Sequence, residues 1–171
     1  MTTTAFRPII KEATLTRPSD TSAYAVYDAV NNSTSAPVAT KIANLATSGG
    51  SGLVRLDRVR IKTNSTAMGN AILRVHLFKD VNGAPTITTN DNASMSSAIG
   101  APYSAYIGAF DVTMDRILTG GTDGAGLPIV GAAINCRLPE GHIYFLIETR
   151  TAFTPVSAQT FTVIVEGVEF F

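Results

Sequence analysis

One cysteine, no tryptophan, two histidines and a charged fraction of 15% leave this chain of 171 residues few means for chemistry. The single thiol, Cys136, excludes an internal disulfide and a CxxC metal knuckle. It sits in an apolar stretch, residues 129–138, and is expected to be a buried small hydrophobe. No run approaches the ~18 apolar residues of a membrane-spanning helix. The start, MTTTAFRPII, has no basic segment followed by an apolar core, so no signal peptide is expected. A soluble protein made in the cytoplasm, with no membrane partner, follows as the expectation. There is also no G-x-S-x-G elbow, no P-loop and no dinucleotide fingerprint.

What the chain does have is hydrophobic content of 45%, abundant Ser, Thr, Asn and Gly, and a period of two. Val59, Ile61 and Thr63 alternate with Arg58, Arg60 and Lys62; Leu73, Val75 and Leu77 alternate with Arg74, His76 and Phe78. Ile143, Phe145 and Ile147, and later Phe161, Val163 and Val165, do the same. Side chains of a strand point to opposite faces at successive residues, so these read as half-buried strands. Segments 9–16, 23–30, 38–45, 106–112 and 127–135 bring the expectation to eight or nine. The phase slips at Asp57–Arg58 and again at Glu166–Gly167, where bulges are expected. Residues 64–69 suit a β-hairpin loop, and residues 86–102 and 118–126 suit long connections. Only residues 94–99 suit a helical turn, with Asn92 as its cap. The fold class expected is all-β: an antiparallel two-sheet sandwich, jelly-roll-like.

Net charge is zero but unevenly spread. Residues 1–85 carry ten Lys/Arg against five Asp/Glu, net +5; residues 86–171 carry three against eight, net −5. Either this dipole helps subunits dock, or the halves interleave in space and it cancels. Arg58, Arg60 and Lys62 share a strand face, as do Arg74 and His76. A hairpin in the right register would join them into a cationic patch suited to an acidic neighbour. A nucleic-acid partner is not expected, since zero net charge and one nearby aromatic, Phe78, do not make a binding groove.

Catalytic and metal candidates are thin. His142 with Glu140 reads as a solvated turn, and Asp80–Gly83 and Asn90–Asn92 read as turns before calcium loops. The acids Asp111, Asp115, Glu140 and Glu148 show no pairing of the kind a glycosidase needs. Tyr103 and Tyr106, beside residues 90–92, are the candidates for a sugar platform. Of the last two residues, Phe170 is expected in the core.

Several strings carry a resemblance: RPSDTSAYAVYDAVNNSTSAPV (17–38), GGSGLVRLDRVRI (49–61), LRVHLFKD (73–80), NDNASM (90–95), AYIGAFDV (105–112) and TRTAFTPVSAQTF (149–161). Together, in this order, they resemble small β-sandwich virion structural proteins of tailed bacteriophages. The resemblance implies a head decoration or cement protein on the capsid exterior, bridging capsomers of the expanded shell. It implies no enzymatic activity and no cofactor or metal. The partners implied are the major capsid protein and further copies of the chain, in a trimer. The chain shows no internal repeat or linker and is expected to comprise an extended N-terminal arm and first strand, residues 1–16, and one sandwich domain, residues 17–171. Shell contacts are expected from Phe6, Arg7, Ile9 and Ile10 on the arm, and from Arg58, Arg60 and Lys62. The rival expectation is a tail- or fibre-associated protein that binds glycans.

Overall fold

Alternating residues become strands wherever one face can be buried, and ten antiparallel strands form among the described residues. They are β1 (Phe6–Thr16), β2 (Ala29–Val30), β3 (Thr40–Ile42), β4 (Leu53–Thr63), β5 (Ile72–Lys79), β6 (Tyr106–Leu118), β7 (Gly121–Gly126), β8 (Ile134–Arg137), β9 (Ile143–Thr149) and β10 (Thr160–Phe170). The computed structural model describes residues 5–47, 52–80, 85–86, 89–95 and 103–171, without the side chain of Tyr103. The expected turn at 94–99, the half calcium loop at 80–83 and the Tyr103 platform therefore lie wholly or partly outside the described residues.

The hydrogen-bonded order is β1-β10-β4-β7-β6-β5-β9-β2, with β3 also on β9 and β8 also on β4. The sheet curls into two halves, β1-β10-β4-β7 and β6-β5-β9-β2, and the chain crosses between them after β1, β3, β4, β6, β8 and β9. That winding is a jelly roll. One core lies between the halves. It takes Val59 and Ile61 of β4, Phe161, Val163 and Val165 of β10, Leu73 and Val75 of β5, and Phe145 and Ile147 of β9. A second cluster, built from Phe78, Tyr144, Leu146, Ala29, Met95 and Ala105, covers part of the outer face of the second half. Every residue of β9 is consequently buried.

Several details depart from the sequence pattern. β4 and β5 are not a hairpin: they sit in opposite halves, joined through a 3-10 turn at Thr66–Met68 that buries Met68. Only Ala29–Val30 of segment 23–30 and Thr40–Ile42 of segment 38–45 pair as strands. Strand β8 starts late in segment 127–135, at Ile134, because residues 127–133 turn at the seam between the halves. The two phase slips are one bulge. Glu166 pairs Arg58 and Gly167 pairs Leu56, leaving Asp57 as the extra residue on β4. β10 keeps its phase, so Glu169 points inward and Phe170 lies half-buried on the outer face, paired with Phe6 instead of in the core.

Strand β7, GTDGAG, falls where a loop was expected. A Cβ at Gly126 would stand 1.9 Å from the Asp111 carbonyl oxygen, and one at Gly124 would stand 2.2 Å from that of Thr113. Glycine's weak strand preference is overridden because only glycine lets the backbone approach this closely where the sheet folds over.

Candidate functional site

Residues 6–16 form the edge strand β1, paired with β10 along its whole length. Pro8, which cannot donate to a ladder, suits that edge. Even-numbered residues of β1 face outward and odd-numbered ones face inward, which splits the four expected contact residues. Phe6 and Ile10 are 68% and 66% exposed, whereas Ile9 is in the core at 2%. Arg7 turns to the rim of the sandwich, where its Nε lies 3.0 Å from Glu169 Oε2. Glu169 is wholly buried and also accepts from the Thr47 backbone N–H at 2.6 Å and its hydroxyl at 2.8 Å. Ile9 thus holds β1 in place from the core and Arg7 from the rim, while Phe6 and Ile10 stand most exposed of the four.

Next to β1 on the outer face, pairing places Ile10 beside Glu166 and Glu166 beside Arg58. Arg58 donates from Nε to Glu166 Oε2 at 2.7 Å, and Arg60 to Oε1 at 2.6 Å. Two of the three expected cations are therefore ion-paired within the sheet. Lys62 is exposed on the same face. The pairs Arg7–Glu169, Arg17–Asp91, Arg58–Glu166 and Arg74–Asp111 each join the basic half of the sequence to the acidic half. The two halves of the sequence interleave in space, with charges of one paired against charges of the other.

The outer face of the second half carries a strip that spans β5, β6 and β9. Arg74 of β5 makes a bidentate pair with Asp111 of β6, at 2.7 and 2.8 Å. His76 Nε2 lies 3.1 Å from Glu148 Oε2, Arg150 reaches Glu148 Oε1 at 3.4 Å, and the Arg150 guanidinium stacks 4.6 Å from the centre of the Tyr27 ring. At the other end Tyr106 packs against His76 and Phe78. Although β4 and β5 do not pair, Arg58 and Arg74 do converge. With Asp111, Leu127, Pro128 and Ile129 they line an open groove of about 700 Å³ at the seam between the halves.

Electrostatics follow from these contacts. Burial raises the carboxyls of Glu148, Glu166 and Glu169, but hydrogen bonds from His76, from Arg58 and Arg60, and from Thr47 and Arg7 outweigh it. All three stay below the ordinary 4.5. The Arg74 hydrogen bond lowers Asp111, and the Ser22 N–H and Arg17 lower Asp20. A carboxyl lowered on folding stabilises above its unfolded value, and that contribution goes as pH falls through the lowered folded value. Asp91, raised mainly by burial, runs the other way, one group against five. Urea midpoints are therefore expected to be flat from pH 7 to about 5 and to fall below that. Glu169→Gln is expected to shrink the drop, and a midpoint that rises on acidification would contradict the assignment.

The loops at one end are closed by a buried polar clasp. Arg17 donates from Nε to the Tyr24 hydroxyl at 2.8 Å and from an Nη to Asp91 Oδ2 at 3.2 Å. The Tyr24 hydroxyl donates to Asp91 Oδ1 at 2.6 Å, which also accepts from the Asn31 N–H at 2.8 Å. The oxygen-rich tripeptide 90–92 is thus committed to protein partners through Asp91. Among the described residues no group of three His, Cys, Asp or Glu is placed to hold a metal ion. His142 contacts the Glu140 backbone carbonyl at 2.8 Å and the Asp80 carboxylate at 3.1 Å, so its acidic neighbour is Asp80. Cys136 is half-buried in the core wall, and burial pushes its thiol up to about 11.

No family model matches the chain. No curated protein matches it. Among solved structures it is similar to a chain of the full particle of Israeli acute paralysis virus heated to 63 degrees. Identity there is 12% and the TM-score 0.35, over 95% of this chain and 68% of that one.

Proposed function

We propose that the protein is a virion structural protein of a tailed bacteriophage: a non-enzymatic head decoration or cement protein, seated on the outer surface of the shell against the major capsid protein. The observation that carries this reading is an apolar patch on the outer face of β1 and β10. Phe6 and Ile10 stand exposed there, with Pro8 between them and the half-buried Val168 and Phe170 beside them. Contiguous exposed apolar surface marks a place where another molecule binds. The salt-bridged row of Arg58, Arg60 and Glu166 borders it, giving the polar rim that such contacts have.

Burying Phe6 and Ile10 contributes about 1.5–3 kcal/mol each, modest for one copy and large when repeated over a symmetric shell. A trimer of the chain, bridging neighbouring capsomers, fits that mode of action. The acids on the second half support a binding role over hydrolysis. Asp111 and Glu148 flank Arg74, and both are held below the ordinary carboxyl range. A glycosidase needs one of its pair kept protonated.

The test is the copy number per purified virion, set against the major shell protein by quantitative mass spectrometry. A count comparable to the shell protein is expected, and a handful of copies would move the protein to the tail or fibre. In parallel, Ile10→Asp is expected to weaken binding to stripped heads at least ten-fold, about 1.4 kcal/mol. Wild-type binding by that variant would refute the assignment of the patch.

A further inference from the structure

Tyr27 occupies a backbone position that tyrosine does not favour. Its φ is +74°, in the region that glycine and asparagine take at little cost. Two hydrogen bonds hold it there: its N–H donates to the Thr149 carbonyl at 2.8 Å and its carbonyl accepts from the Met95 N–H at 2.7 Å. Neither bond uses the side chain. The residue is instead 49% exposed, with Arg150 stacked on its ring. Strain retained at an exposed aromatic points to use of that side chain.

The ring is one end of the strip already described. Tyr106, 38% exposed, forms the other end, with its hydroxyl 3.5 Å from His76 Nδ1. Between the two tyrosines lie the His76–Glu148–Arg150 chain and, alongside, the Arg74–Asp111 pair. Arg74 and Arg150 are each paired with a carboxylate, Asp111 and Glu148, so the strip holds no unpaired arginine to attract phosphate or nucleic acid. It still offers planar donors and acceptors side by side, flanked by two aromatic rings. That combination suits a ligand with vicinal hydroxyl groups and an apolar C–H face. Arg74 and Asp111 also line the open groove at the seam, so the strip continues into it.

We propose that this strip is a binding site for a neutral oligosaccharide, with Tyr27 and Tyr106 as stacking platforms, Arg150, Arg74 and Asp111 as hydroxyl partners, and the buried Glu148 holding Arg150 in place. It does not rest on the head-binding assignment. The apolar patch is on the first half of the sheet and the strip on the second, so a copy seated through β1 presents the strip on a different face.

The probe is a printed array of neutral hexose and N-acetylhexosamine oligosaccharides together with sialylated and sulfated ones, followed by titration of the retained compounds. Retention of neutral compounds is expected. Tyr27→Asn is expected to weaken it at least ten-fold while leaving thermal stability unchanged or raised, because asparagine relieves the positive φ. Arg150→Gln is expected to weaken it as well. Retention of none of the neutral compounds, retention only of anionic ones, or equal retention by Tyr27→Asn would each overturn the proposal.

Discussion

Asp91→Ala is expected to cost about 3–5 kcal/mol, the range for breaking a buried ion pair from one side. Both side chains of the Arg17–Asp91 pair are fully buried. Removing the carboxylate leaves the buried guanidinium with Asp20 as its remaining anionic partner, takes the acceptor from the Tyr24 hydroxyl and frees the Asn31 N–H. For a chain of this size the loss amounts to a Tm lower by roughly 10 °C. The double variant Arg17→Met/Asp91→Leu is expected to recover only part of it, because it removes the buried charge but leaves the Tyr24 hydroxyl and the Asn31 N–H without Asp91. Calorimetry on the three proteins checks this. A single variant within 1 kcal/mol of wild type, on the scale of an exposed pair, would show that the clasp is open to water.

Gly126→Ala is expected to cost about 3 kcal/mol or more, at the upper end of overpacking, for a single added methyl. The new Cβ would lie 1.9 Å from a backbone oxygen of β6, which cannot turn aside as a side chain would. β7 is the strand that joins the two halves, pairing β4 on one edge and β6 on the other, so the shift would open the seam. Gly120→Ala is the control. It meets nothing within 4 Å and carries only a φ of +86°, worth about 1–2 kcal/mol. Denaturant midpoints for the pair are expected to separate clearly, and equal losses would place the constraint in backbone conformation, not in space.

Period-two alternation by itself determined that the chain is a two-layer β protein. It also determined which residues of β4, β5, β9 and β10 fill the core, because burial of alternate side chains is a local property of a strand. The slip at Asp57 was legible for the same reason: two apolar phases on one strand require an extra residue between them. Pairing was not legible, since any two amphipathic strands present the same pattern. Only the tertiary structure put β4 and β5 in opposite halves, made the glycines of β7 a strand, buried Ile9 and paired Arg7 with Glu169 at the rim. The same limit applied to the candidate sites. The sequence offered Phe6, Arg7, Ile9 and Ile10 as one group, and only the pairing of β1 with β10 set the exposed Phe6 and Ile10 apart; the strip from Tyr27 to Tyr106 was not legible at all. Its members come from residues 27, 74, 76, 106, 111, 148 and 150, and long-range pairing through β5, β6 and β9 is what brings them onto one face.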